Sequence, residues 1–312
     1  MKIGILGWDD GVLGPATPGG EYDPDGPVLV EHGRRRGHET TLFTLENVTY
    51  VPGDRGMDVV LGGHPGSSFD AIISRAKLYG DDWRDRGLDW RDRVERLTMV
   101  SEIPGLHLFD SADVWQRAYS KFLTMQKLAQ AGLPVPPCRS ATTPSEVELA
   151  CQQWDDVIIK PSYGYRGKGV TRITDFSAQK AEIQDRLNEY GTMVCIPYYP
   201  TQWGEYRVTV AGEAVPEVSL KLPAVGQWRP HVSLGGSFER IDPPPGLEDL
   251  ALRAARAMGL TLTGLDILPT ANGFVILEAN CNTGGLSVFG EETHRAIMDG
   301  VYDWVEKRVA AP

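Results

Sequence analysis

The sequence predicts an α/β protein of 312 residues, divided into two or three subdomains and beginning with a small Rossmann-like domain. Three observations predict it. Short apolar runs alternate with a helical segment over residues 1–110, as in a parallel βαβ unit. A strand, a glycine-rich turn and a second strand occupy 156–173. Two further strand pairs, 205–220 and 263–279, precede a final helix.

Lys2 to Leu6 reads as a buried first strand, and Val28 to Gly37 as a helix stopped by Gly37. His38 to Leu45 and Phe69 to Arg75 read as the next strands. Residues 76–104 contain a short echo, Asp-Asp-Trp-Arg-Asp-Arg at 81–86 and Asp-Trp-Arg-Asp-Arg at 89–93. It is too brief for a structural repeat, and reads either as a charged, solvated helical face or as a substrate-specific insertion near a cleft. Ala112 to Ala131 has helical apolar spacing and ends in Gly132-Leu133-Pro134, which predicts one continuous helix with a glycine cap. Asp156 to Pro161 enters the glycine-rich turn and Gly169 to Ile173 leaves it. Glu205–Val210 and Ala214–Leu220 predict a hairpin about Ala211-Gly212-Glu213. Pro243-Pro244-Pro245 introduces a helix over Leu247–Met258, and Thr263–Leu268 and Gly273–Ala279 follow as strands. The last helix begins near Glu291.

The 42 acidic residues exceed the 31 basic ones, for a formal charge of -11, so nucleic acid and anionic membranes are not expected partners. Residues 1–7 run into Gly/Pro-rich sequence without the apolar core of a signal peptide, and no stretch is long enough to span a bilayer, which predicts a cytoplasmic location. Cys138, Cys151, Cys195 and Cys281 are widely spaced, as expected of free thiols in a reducing compartment.

Two constellations carry chemistry. Lys160 ends a strand, and Gly164, Gly167 and Gly169 stand in the turn that follows, with Lys168 between the last two. Glycines let backbone amides approach phosphate oxygens, and lysine supplies point charge. No helix follows, so this is neither a Walker A loop nor a dinucleotide fingerprint. It fits a flap over a triphosphate, or an ordinary glycine-rich hairpin turn. The second constellation is Asp266, with Glu278 and Asn280 two residues apart on one strand face. Two carboxylates and an amide oxygen are hard ligands suited to Mg²⁺. Taken singly, each is also what a surface or turn position commonly holds, but charge on an inward face between apolar flanks is costly without a cation.

The order of six features resembles the ATP-grasp superfamily: Lys121 before Gly132-Leu133-Pro134, Lys160 with its glycine loop, Arg207 in Glu205-Tyr206-Arg207-Val208, then Asp266, Glu278 and Asn280. The spacing is similar to RimK-like glutamate ligases, and more distantly to glutathione synthetases and D-alanine:D-alanine ligases. The resemblance covers residues 105–290 well and the first 100 weakly. It implies an ATP-grasp fold, two α+β subdomains gripping ATP after the Rossmann-like domain, with divisions at 1–110, 111–192 and 193–312.

The resemblance also implies an activity. A carboxylate takes the γ-phosphoryl group of ATP, and an amine then displaces phosphate from the acyl phosphate to leave an amide, ADP and phosphate. The expected substrates are small, amino-acid-like carboxylates and amines. A carrier-protein acceptor, an intramolecular cyclisation and a small-molecule kinase are the alternatives. ATP and two Mg²⁺ are the implied cofactors, with Mn²⁺ as a substitute. Lys121 and Lys160 match the phosphate lysines, and Gly164, Gly167, Lys168 and Gly169 the phosphate-covering loop. The hinge over Met193–Tyr199, with Cys195, Ile196 and Tyr198, matches the segment whose backbone reads adenine. Asp266, Glu278 and Asn280 match the metal ligands. Arg207 and Arg229 match arginines at the transferred phosphoryl group, and Arg75 a substrate arginine.

Three departures stand out. The hinge lacks the acidic residue common in relatives, which passes ribose recognition to Glu205 or another group. Asn280-Cys281-Asn282-Thr283-Gly284-Gly285 replaces the usual Asn-x-x-Pro-Gly turn, so Asn282 and Gly284 are candidate substrate contacts individual to this chain. His231 stands where asparagine is frequent, as a surface residue or as a hydrogen-bonding partner of substrate or phosphate. A homodimer is the default assembly.

Overall fold

The chain opens with β1 (Lys2–Gly7), α1 (Gly26–Arg35) and β2 (Glu39–Thr44). The computed structural model describes residues 1–8, 23–54, 56–78, 90–164, 167–230, 235–281 and 286–311. β3 (Val48–Gly53), β4 (Gly56–Leu61) and β5 (His64–Pro65) form a small antiparallel sheet of their own, which the sequence reading did not anticipate. β6 (Ala71–Ser74), α2 (Trp90–Ser101) and β7 (His107–Phe109) complete the first third. The expected parallel sheet is present, in the order β2-β1-β6-β7.

α3 (Ala112–Tyr119) and α4 (Lys121–Gln130) stand where one helix was predicted. The break falls at Ser120, which leaves helical geometry with ψ 115°. Its Oγ accepts from Leu123 N at 3.3 Å, capping α4, and its backbone bridges to Tyr163. Apolar spacing runs through the interruption unchanged, so periodicity could not reveal it.

β8 (Arg139–Ala141), α5 (Pro144–Trp154), β9 (Val157–Pro161), β10 (Thr171–Ile173), α6 (Phe176–Tyr190) and β11 (Met193–Pro197) build an antiparallel sheet in the order β10-β9-β11-β8. Strand alternation gives this sheet two faces. Val157, Ile159, Met193 and Cys195 pack with Val147 of α5 and Ile183 of α6. Ile158, Val194 and Ile196 turn the other way, and meet Met125 of α4.

β12 (Glu205–Ala211), β13 (Ala214–Leu222), β14 (Ser237–Arg240), α7 (Leu247–Met258), β15 (Leu262–Thr270), β16 (Gly273–Asn280) and α8 (Glu291–Val309) follow. The strands form an antiparallel sheet in the order β14-β13-β12-β15-β16. Val208, Val210, Val218, Leu265, Ile267 and Ala279 bury one face against α7 and its neighbours. The opposite face is apolar where Ala211 and Leu262 meet α8 and polar beyond them, and the polar part carries the site.

α8 packs beneath the N-terminal sheet, although it follows the last strand. Ile297, Met298, Val301 and Tyr302 share one core with Ile3, Ile5 and Leu29. Tyr302 Oη donates to Leu29 O at 2.7 Å, and Arg36 pairs with Asp299, Asp303 and Glu306.

Candidate active site

Register places the polar residues. Asp266 pairs with Glu278 on one side and Arg207 on the other; Arg207 pairs with Ser219, and Ser219 with Arg240. Paired residues of adjacent strands share a face, so these five form a row across the sheet. A neighbouring row holds Glu217, Thr209, Gly264 and Asn280. Past Asp266 the register slips, with Ile267 opposite Ile276, so β16 carries Leu277 as an extra residue. Leu277 joins the apolar group of Met125, Ile158, Val194 and Ile196 beside the charged row.

Glu278 is where the two sheets meet. Lys160 Nζ and Lys121 Nζ each lie 3.6 Å from Glu278 Oε1. Lys160 reaches there because it follows Ile158 on the outward face of β9. Lys121 reaches there because the chain breaks at Ser120: its backbone N donates to Ser162 O and its Nζ to Gly164 O, both at 3.0 Å. Burial, reinforced by Lys121, lowers the pKa of Lys160 against the pull of Glu278. Burial would raise Glu278, but the two lysines outweigh it and hold the carboxyl below its usual range.

Arg207 Nη1 donates to both Asp266 oxygens, at 3.1 and 3.0 Å, and Lys221 Nζ donates to Asp266 Oδ1 at 2.7 Å. Burial opposes ionisation of Asp266, yet these two cations hold its pKa well below the carboxylate range. Lys221 also pairs with Glu205, whose pKa is raised by burial and by Asp266. The structure thus places Glu205 beside the row, joined to Asp266 through Lys221. Asn280 Nδ2 donates to Asp266 Oδ2 at 3.2 Å and Gly264 O at 3.1 Å. Gly264 leaves room for the Arg207 guanidinium: a methyl group at this position would lie 2.5 Å from Arg207 Cζ and 2.6 Å from Nε.

The donor set fits Mg²⁺, being made of carboxylate and amide oxygens. Among the described residues no three His, Cys, Asp or Glu side chains converge on one point. A cation here would therefore rest on Asp266, Glu278, the Asn280 amide and ligand oxygens.

The glycine turn is held from two sides. Lys121 takes Gly164 O, and Arg229 Nη1 donates to Gly167 O at 3.0 Å. Gly167 and Gly169 have φ of 68° and 70°, the left-handed region, and a Cβ on Gly169 would strike Tyr190 and Pro161. Next to Arg229, Trp228 meets Tyr198 edge to face at 6.0 Å. Arg172 stacks 3.6 Å from the Tyr198 ring and binds Asp156. At the hinge, Tyr198 N donates to Asp156 O at 2.9 Å, and the Cys195 thiol faces the α5–α6 core, where burial pushes it up to about 12.

Sequence features 118–302 match the RimK-like ATP-grasp domain. The chain belongs to this family. ATP-grasp ligases use ATP and Mg²⁺, and this member is a ligase of that type. The tetrahydromethanopterin:α-L-glutamate ligase of Methanosarcina acetivorans is 29% identical over 251 residues, covering 72% of this chain and 76% of its own. A probable α-L-glutamate ligase of Xanthomonas campestris pv. campestris is 25% identical over 260 residues, 82% of this chain and 86% of its own. The solved structure of the ATP-grasp ligase PsnB, complexed with minimal precursor, Mg and ADP, superposes with TM-score 0.67 at 21% identity, covering 98% of each chain. At that identity the likeness is one of fold.

Within this ATP-grasp chain, Lys121, Lys160, Arg207, Asp266, Glu278 and Asn280 come together, with Glu205 beside them. Arg75, the expected substrate arginine, pairs with two aspartates of the first domain. Its guanidinium is buried, with Nε donating to Asp23 at 3.0 and 2.9 Å and Nη2 to Asp23 and Asp25 at 2.9 and 3.0 Å. His231, Asn282 and Gly284 lie outside the described residues, as do Tyr165 and Arg166 of the glycine turn and the 81–89 portion of the charged echo. Lys221 was missed. The alternation Glu217, Ser219, Lys221 along β13 was a partial signal, but Lys221 stands opposite Glu205 only because of a register shift between Thr209 and Ala211, which hairpin spacing does not reveal.

Proposed function

We propose that the protein is an ATP-dependent carboxylate–amine ligase that forms an amide through an acyl phosphate, on small amino-acid-like substrates, releasing ADP and phosphate. The observation that carries this reading is the convergence of Lys121 and Lys160 on Glu278, in one row with Asp266 and Arg207. Four cations (Lys121, Lys160, Arg207, Lys221) face three carboxylates (Glu205, Asp266, Glu278), which suits a polyanion accompanied by divalent metal.

In this reading the adenine lies in the apolar slot of Met125, Ile158, Val194, Ile196 and Leu277, closed by Trp228 and Tyr198. Lys121, Lys160 and the amides of the glycine turn hold the phosphates. Asp266, Glu278 and Asn280 hold two Mg²⁺ or Mn²⁺, which would neutralise charge on the terminal phosphates. Arg207 and Arg229 orient the transferring phosphoryl group and the acyl phosphate, since a guanidinium fork matches both. Arg229 and Lys121, bonded to opposite ends of the glycine turn, keep water from the acyl phosphate. No protein nucleophile enters the sequence of steps.

The same reading divides the chain at 1–110, 111–192 and 193–312, and takes it as a cytoplasmic homodimer without nucleic-acid or membrane partners. Among the described residues no helix is long and apolar enough to cross a membrane. The test is a screen for ADP and phosphate release over amino acids and small carboxylates, singly and in pairs. Release of both products that depends on a pair, with amide formed, is the expected result. ADP release without free phosphate would mark a kinase and overturn it.

A further inference from the structure

We propose that Arg240 binds a second carboxylate on the substrate whose first carboxylate is phosphorylated, so that the donor is a dicarboxylic acid. The inference rests on the ligase reading and adds the class of donor to it. Arg240 ends the row Glu278, Asp266, Arg207, Ser219, Arg240, one residue from each of five strands. Neighbouring strands lie about 4.8 Å apart, so Arg240 stands about 10 Å beyond Arg207, on the side away from Glu278 and the two lysines. A donor with its reacting carboxyl at Arg207 extends along the row toward Arg240.

The cations in and beside the row differ in their partners. Arg207 and Lys221 both meet Asp266, and Lys221 also meets Glu205. Arg240 Nη1 donates to the Thr293 hydroxyl at 2.8 Å, and among the described residues no carboxylate lies within ion-pair distance of it. Glu217 is near enough to feel the Arg240 charge but makes no ion pair with it, its oxygens being taken by the hydroxyls of Ser219 and Thr209. Thr293 is buried at the start of α8 and fixes one edge of the guanidinium, while the residue as a whole is exposed. The planar fork matches a carboxylate in two parallel bonds.

The test uses the full chain with MgATP and hydroxylamine in place of the amine. A donor carboxylate oxygen accepts the γ-phosphoryl group and ADP leaves. The hydroxylamine nitrogen then displaces phosphate, breaking the C–O bond, forming C–N and losing one proton, to give a hydroxamate that is read by its ferric colour. The probes are L-aspartate, L-glutamate, succinate and glutarate, each beside its monoamides. The expected result is a diacid preferred over its monoamides by about 10- to 100-fold in kcat/KM, the range of a charged hydrogen-bonded contact. Arg240→Gln should erase that preference through KM for the diacid, with kcat and KM for ATP unchanged. Arg240→Lys should restore part of it, and the unchanged KM for ATP reports an intact fold. Monoamides equal to diacids in the wild type, or a preference that survives Arg240→Gln, would overturn the proposal and leave the ligase reading standing. No hydroxamate from any acid would overturn both.

Discussion

Replacing Glu278 with Gln keeps its shape and removes one charge from between two lysines. Each Lys–Glu278 separation is 3.6 Å, which corresponds to about 1 kcal/mol in a water-like dielectric and about 5 kcal/mol at an effective constant of 20. The Glu278 side chain is 32% exposed, so the lower end applies and the two pairs together contribute about 2 kcal/mol. In Glu278→Gln the lysines are released for other anions, and metal-free ATP should bind roughly 30-fold more tightly. Turnover should move the opposite way. Loss of one oxygen ligand to a cation that stabilises the transferring phosphoryl group removes about 3–4 kcal/mol, lowering kcat by about 10²–10³-fold and raising the Mg²⁺ concentration needed for half-maximal rate. Titration calorimetry with ATP in EDTA and ADP release against Mg²⁺ measure the two effects. Weaker binding of metal-free ATP, or a kcat within about tenfold of wild type, would refute the reasoning.

Gly264→Ala inserts a methyl group under the Arg207 guanidinium and should lower kcat by about 10- to 100-fold through a displaced charged contact, with little change in melting temperature because the side chain can swing away; a normal kcat would show that Arg207 does not act from its observed position. Arg229→Ala frees Gly167 O and should raise ADP release without amide formation, measured as the ratio of ADP to amide; an unchanged ratio would count against the water-excluding role. Asp110 is buried and accepts bonds from Thr261 N and Oγ1, and burial pushes its carboxyl up to about 7 from 3.8. The folded state then holds a proton that the unfolded state has lost, so this group's stabilisation is complete below about pH 4 and is lost as pH rises to about 7, by at most ~4 kcal/mol. Asp110→Asn should therefore show a flatter loss of stability than wild type between pH 4 and pH 7 in urea titrations, and parallel curves would refute the burial argument.

Much of the site was legible because it is built from strand alternation. Glu278 and Asn280 share a face by spacing alone, and pairing the two closing strands brings in Asp266; Arg207 was legible only through the family resemblance. The helix over Leu247–Met258 was read to the residue, since Pro243-Pro244-Pro245 and Gly259 bracket it. The parts that escaped depend on partners far away in the chain. The helix is interrupted at Ser120 because Tyr163 bridges to Ser120 and Ser162 O accepts from Lys121 N. Arg75 is enclosed by Asp23 and Asp25, some fifty positions earlier. The sheet of β3, β4 and β5 has strand-like residues, including Tyr50-Val51 and Val59-Val60, but an α/β pattern suggests a helix in that interval.

The position of α8 has a consequence for how the chain reaches its native state. β1, α1 and β6 supply only part of the core beneath the first sheet; Ile297, Met298, Val301, Tyr302 and Val305 supply the rest. Nearly three hundred residues separate Ile3 from these partners, so a segment made well before α8 is among the last to be completed. Until α8 docks, Ile3, Ile5 and Leu29 stay available to chaperones or to other nascent chains. Residues 1–110 expressed alone should therefore be prone to aggregation, and supplying 291–309 as a separate peptide should rescue their solubility.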